Sequence, residues 1–158
     1  MTEYRQVEGD DSVSNARIGI VASKFNSFVV DRLLEGCLAV LNKAGFDEDS
    51  VTIVNVPGAF EIPVAAQRLI STERCDAVIA LGAIIRGETP HFEYIANECS
   101  HGLANLALAH DTPVIFGVLT TDNSEQAMDR AGTEESNKGA EAAKAAIEMI
   151  SVLRKIKS

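Results

Sequence analysis

The chain has 158 residues, 46% of them hydrophobic, which is the length of one ordinary domain and enough apolar material for a core of its own. Its formal charge of −9 argues against a nucleic-acid or anionic membrane surface as partner, because the summed field would repel both. Any anionic substrate must then be met by locally placed cations, and Arg17, Arg86, Arg130 and Lys138 are the candidates. Cys37, Cys75 and Cys99 are widely spaced and form no C-x-x-C, a pattern of reduced thiols in a cytoplasmic protein rather than of a disulfide framework or zinc site.

Residues 1–15 are polar and acidic, with neither the apolar stretch of a signal peptide nor an anchor, and residues 16–158 are expected to form a single domain. From there, short β-rich apolar runs alternate with segments of helical spacing, the pattern of a parallel sheet covered by helices. The first strand is read at residues 17–22 (RIGIVA), followed by a helix with Val30, Leu34, Leu38 and Leu41 on one face and Gly45 as its stop. A second strand at 50–56 runs into the turn Pro57-Gly58-Ala59-Phe60-Glu61 and a helix from about Ile62, where Pro63 falls in the first turn and its missing N–H costs nothing.

The third strand is read at 77–81, followed by a loop over 82–90, a helix from His91 to His110, and a fourth strand at 113–119. Because the strands are continuous apolar runs, both faces of the sheet are expected to be buried. Asn123 and Gln126 have the spacing of a capping box for a short helix ending at Gly132. A last helix follows from about Lys138, with Ala143, Ile147, Ile150 and Leu153 as its buried stripe. Arg154, Lys155 and Lys157 read as charges that favour its C-terminus.

Ligands of open parallel sheets bind beyond the carboxyl ends of the strands, where strand order reverses, so the segments leaving each strand are the ones to inspect. After the third strand, Gly87 allows close backbone approach, Thr89 offers a hydroxyl and the next helix begins, which together suit a phosphate; the same residues also suit an ordinary turn with Thr89 as N-cap. Glu88 is an objection to the phosphate unless its side chain points away. His91 opens the helix at the mouth of the crevice, where an imidazole can exchange protons with a substrate. His91, His101 and His110 are separated by ten and nine residues. At about 100° and ~1.5 Å per residue they cannot share one metal, which leaves His101 and His110 as surface or packing residues. Phe25 and Phe60, each at a strand exit, suit either stacking on a planar heteroaromatic ring or a place in the core.

The runs SKFN, VPGAFEIP, LGAIIRGETPHFEY, PVIFGVLT, EQAMDRAG and NKGAEAA, in that order, resemble the lumazine synthase family over about residues 16 to 155. Lys24 stands where that family often has arginine, and Glu88 and Pro90 fall at its variable loop positions. The resemblance implies a three-layer flavodoxin-like α/β fold, a four-stranded parallel sheet with helices on both faces. It also implies a transferase of riboflavin biosynthesis that condenses 5-amino-6-(D-ribitylamino)uracil with 3,4-dihydroxy-2-butanone 4-phosphate. Phe25 would stack on the pyrimidine, Ala59, Phe60 and Glu61 would line the ring and ribityl pocket, and Ala83, Ile84 and Ile85 would offer backbone hydrogen bonds. Glu88 and Thr89 match the phosphate loop and His91 the proton donor.

Phe116 and Arg130 match residues that the family supplies from the adjacent subunit, Arg130 to the phosphate, with Lys138 in support. No cofactor or metal is implied, since phosphate is a good leaving group and both nucleophilic nitrogens belong to the substrate. Only residues 133–136 separate the R-A-G and N-K-G elements, the short connection of shell-forming members. The implied assembly is a pentamer, twelve of which close an icosahedral 60-mer, with active sites between adjacent subunits and riboflavin synthase as a candidate partner. Two rivals remain at this stage: an archaeal-type riboflavin synthase, and a flavin- or lumazine-binding shell protein whose chemistry has been lost.

Overall fold

Strands and helices alternate along residues 3–157, the residues described by the computed structural model; Met1, Thr2, Ser158 and the side chains of Glu134 and Lys157 lie outside the described residues. In chain order they are β1 (Ile18–Ser23), α1 (Ser27–Lys43), β2 (Val51–Val56), a 3-10 turn (Ala59–Glu61), α2 (Ile62–Glu73), β3 (Ala77–Ile85), α3 (His91–His110), β4 (Val114–Thr121), α4 (Ser124–Asp129), a 3-10 turn (Glu134–Ser136) and α5 (Lys138–Lys157). The four strands form one all-parallel sheet in the order β2-β1-β3-β4, so the order reverses between β1 and β3. This is the three-layer flavodoxin-like α/β fold. No helix of the described residues is long and apolar enough to cross a membrane.

Two apolar layers sandwich the sheet because side chains alternate faces along each strand. On one side Leu33, Cys37 and Leu41 of α1 and Ala143, Ala146 and Ile147 of α5 pack on Ile18, Ile20, Ile79 and Leu81. On the other, Ile62, Ala66 and Leu69 of α2 and Cys99, Leu103 and Leu106 of α3 pack on Val21, Val78, Ala80 and Val118. The contact between α1 and α5 is unusually close, since a Cβ on Gly139 would fall on the backbone of Leu33 and one on Gly36 would run into the Asn137 amide. Asn137 holds the junction, donating from Nδ2 to Arg32 O and Gly132 O and accepting from Ala140 N at Oδ1.

Burial on both faces holds for the central strands β1 and β3, whereas the edge strands overhang their helices and leave Ile53 40% and Phe116 45% exposed. The third strand is four residues longer than the expected 77–81, and the loop correspondingly shorter than 82–90. Gly82 looks like a breaker in sequence, but Gly82, Ala83, Ile84 and Ile85 pair in register with Val118, Leu119, Thr120 and Thr121 of β4. The short helix α4 stops at Asp129, not Gly132, with Arg130 as its C-cap. Half of its capping box forms as expected: Asn123 Oδ1 accepts from Gln126 N, while Gln126 Oε1 reaches past Asn123 to Asp122 N. The predicted stop of α1 is present, with Gly45 at φ +96° just past the cap. Leu153 is only half-buried in the α5 stripe.

The cations at the end of α5 do more than complement its dipole. Arg154 donates to Ser14 O and Asn15 O, and Lys155 donates to Glu8 O and pairs with Asp10 Oδ1 at 3.1 Å. Ser151 Oγ accepts from Asp10 N, and Gly9 lies against the Glu148 backbone. The polar N-terminal segment is thereby laid along the last helix.

Candidate active site

The switch point between β1 and β3 opens into a cleft of about 690 Å³ at the carboxyl ends of the strands, a size suited to a small-molecule ligand. Its wall is assembled from three strand exits. The turn after β1 contributes Phe25 and Asn26, the segment after β2 contributes residues 57–61, and the end of β3 with the start of α3 contributes Ala83, Ile84, Ile85, Gly87, Thr89, His91, Phe92 and Ile95.

Each contribution has a local cause. The chain leaves β1 through Asn26, whose left-handed backbone (φ 65°) turns it sharply into α1; asparagine tolerates that region better than most residues. Backbone bonds from Lys24 N to Val56 O and from Phe25 N to Pro57 O tie the turn to the exit of β2. Asn26 Nδ2 ties it to β3 by donating to Ala83 O at 2.8 Å. That carbonyl lies beyond the last pair of β1 with β3, Ala22 with Leu81, so the side chain supplies the partner that a longer β1 would have supplied.

Phe25 and Phe60 are 72% and 54% exposed, so their rings are wall and not core, which settles the alternative left open by the sequence. At the start of α3 the N-cap is Pro90 and no side chain caps the helix, so Thr89 is not an N-cap. The start of α3 lines the cleft through His91 and Phe92 beside Gly87 and Thr89, and a helix N-terminus at that place suits an anion. Glu88 is exposed and does not line the cleft. His91, in the first turn, is exposed and lines the cleft.

The remaining expected residues lie elsewhere. Phe116 projects from the middle of edge strand β4, opposite Ala80 in register and half-exposed. Arg130 is exposed beyond α4, its Nη1 donating to Gln126 O, and Lys138 pairs with Glu141 at 3.2 Å. None of the three lines the cleft of its own chain. Arg17 is at the opposite end of the sheet, 3.6 Å from Glu73. His101 is exposed and His110 half-buried, both on α3 away from the cleft. The three thiols are buried and free, and burial lifts Cys37 to about 12 and Cys75 and Cys99 to about 11, so none is a nucleophile at neutral pH.

The sequence model of the 6,7-dimethyl-8-ribityllumazine synthase family matches residues 15–154 of the 158. The chain belongs to that family. It is thus a member of an enzyme family of riboflavin biosynthesis. Phe92 and Ile95 are parts of the wall that sequence reasoning missed, and Asn26, Pro57 and Gly58 stand at strand exits without having been given a role of their own. A signal for Ile95 was present: it follows His91 by four residues and Phe92 by three, spacings that share one side of a helix.

Proposed function

We propose that this chain is a transferase that condenses 5-amino-6-(D-ribitylamino)uracil with 3,4-dihydroxy-2-butanone 4-phosphate to give 6,7-dimethyl-8-ribityllumazine, phosphate and water. The observation that carries the reading is the composition of the cleft in a chain of this family: two exposed phenylalanine rings, a carboxylate, an uncapped helix N-terminus and an imidazole converge on one space.

The 5-amino group attacks the ketone and water leaves to form an imine. Phosphate is then eliminated, and the ribitylamino nitrogen closes the ring with loss of a second water. Phe25 stacks on the pyrimidine ring, while Ala59, Phe60 and Glu61 line the ribityl and ring pocket. Ala83, Ile84 and Ile85 present main-chain groups, and the loop Gly87-Glu88-Thr89 with the start of α3 holds the phosphate. His91 moves protons at the carbinolamine and at the leaving oxygen. Since the nucleophiles belong to the substrate, the protein's task is orientation and charge neutralisation.

Phe116 and Arg130 complete the adjacent subunit's site, with Lys138 supporting that interface, in a cytoplasmic ring of five of which twelve close a shell. What supports this is that both are exposed and stand apart from the cleft of their own chain. Incubating the purified protein with both substrates, and following lumazine absorbance and released phosphate, tests the reaction. Conversion of lumazine to riboflavin in place of lumazine formation would overturn it. Co-refolding equal amounts of His91→Ala and Arg130→Ala subunits tests the sharing, because about a quarter of interfaces regain both residues in random cyclic assembly. Activity that stays at the level of the separate variants, in particles containing both chains, would refute it. A native mass equal to a lone pentamer would refute the shell.

A further inference from the structure

Arg86 is the cation that sequence places nearest the phosphate loop, yet it does not line the cleft. Its backbone N–H pairs with Thr121 O at 2.8 Å, so it marks the last rung between the exits of β3 and β4. Its guanidinium is engaged on three sides. Nε donates to Asp122 Oδ1 at 3.0 Å, Nη1 lies 3.7 Å from Glu93 Oε1, and Cζ stands 4.6 Å from the centre of the Phe92 ring. These partners come from two elements: Asp122 precedes the Asn123 cap of α4, and Phe92 and Glu93 are in the first turn of α3 beside His91. Phe92 is itself part of the cleft wall.

The charges matter as much as the contacts. Glu93 sits in the first turn of α3, where the helix dipole favours an anion, and an unpaired carboxylate there would oppose a phosphate dianion. A planar guanidinium can stack on a ring and bind carboxylates along its edge at once, which an ammonium cannot. We propose that Arg86 is a positioning residue. It clamps the start of α3 to the β4–α4 junction and masks Glu93, so that the 87–89 loop accepts the phosphate-bearing substrate, without touching the phosphate itself. The second half of this statement rests on the function proposed above, while the clamp does not.

Four variants of the assembled protein separate the possibilities: Arg86→Met, Arg86→Lys, Glu93→Gln and the double variant Arg86→Met with Glu93→Gln. Arg86→Met is expected to raise KM for the ketose phosphate about tenfold, ~1.4 kcal/mol, while KM for the uracil and the melting temperature stay near wild type. Amide exchange over residues 86–95 should quicken in the same variant and remain native elsewhere. Adding Glu93→Gln should recover most of the lost phosphate affinity but none of the exchange protection. Arg86→Lys should keep the affinity better than the protection.

If Arg86 met the phosphate directly, Glu93→Gln would not rescue the double variant, and that result overturns the masking. Unchanged KM and exchange in Arg86→Met would reduce the residue to a surface ion pair. A loss of both KM values, kcat and melting temperature together would make it a general structural residue and equally overturn the proposal. Should the wild-type protein fail to join the two substrates, the proposed function falls. Local exchange in Arg86→Met then decides the clamp alone: faster exchange over 86–95 sustains it and native exchange overturns it.

Discussion

The two ends of one sheet are finished in opposite ways. At the carboxyl ends of the strands, two aromatic rings are exposed, an imidazole faces solvent, and the long helix α3 begins without a side-chain cap. At the amino ends the chain is tied down: Arg17 pairs with Glu73, Asp76 Oδ2 accepts from Arg17 N at 2.7 Å, and Arg154 reaches Asp76, Ser14 O and Asn15 O. The strands between them are the same, so the difference is in what the loops were given to bind. Polar groups left without protein partners remain available to a ligand, whereas at the amino ends the groups that bond one another hold the chain in place.

The comparison makes its largest prediction for the core between the two ends. Cys75 lies towards the amino end, lifted to about 11 by burial first and then by Glu73, with Arg17 opposing and Asp76 adding least; Cys99 lies on α3, lifted to about 11 by burial. At pH 8 each thiolate is then about a hundredfold scarcer than in an unfolded chain, and that of Cys37, at about 12, about a thousandfold. Alkylation of the native protein should be slowed accordingly. Faster labelling of Cys99 than of Cys75 would show that the cleft end opens locally. The pH dependence has a definite sign, because the unfolded thiols lose protons from about pH 9 while the folded ones retain theirs. The thiol contribution to stability is therefore flat below pH 9 and declines as pH rises towards 11 and 12, for Cys37 by up to about 1.4 kcal/mol per pH unit.

The next effect belongs to the cleft. His91→Ala is expected to lower kcat ~10²-fold with the melting temperature unchanged, since the side chain is exposed and has proton transfer as its proposed task. An unchanged rate would remove it from the mechanism. Phe25→Ala should weaken binding of the pyrimidine substrate about tenfold, again without loss of stability, because its ring is 72% exposed and stacking contributes ~0.5–1.5 kcal/mol. Titration of the variant with the product lumazine checks this.

An effect of similar size is at the opposite end and has the opposite character. Arg154→Ala should cost about 1–2 kcal/mol of stability in denaturant titration, through two charge-assisted bonds to carbonyls, and leave both KM values alone. A change in KM without a change in stability would break the division between the two ends.

Most of the architecture was legible because both of its periods were clean. The strands are unbroken apolar runs and the helices carry apolar stripes, so α3 was delimited at His91 and His110 to the residue. Errors gathered at Gly82 and Gly132, where glycine reads as punctuation but pairing with β4 and capping by Arg130 decided the outcome. Within the site, Phe25, Phe60, Thr89 and His91 were legible from their places at strand exits and a helix start. Asn26 was not, because its amide acts on Ala83, 57 residues away, and no local pattern encodes that contact. Arg86 was legible as a cation but not as a clamp, because its guanidinium joins Asp122 to the first turn of α3 only after β3 and β4 have paired.

By itself, the sequence determined the alternation of strands and helices, the family, and which residue types stand at the exits of the strands, since all three follow from local period and from order along the chain. The tertiary structure alone decided which exits face one another and which charges are taken up. Strand order brings the ends of β1, β2 and β3 to one cleft and sends Arg130 and Phe116 away from it. Long-range pairing, whose partners no neighbouring residue can specify, set the Arg86 guanidinium between Asp122 and the first turn of α3.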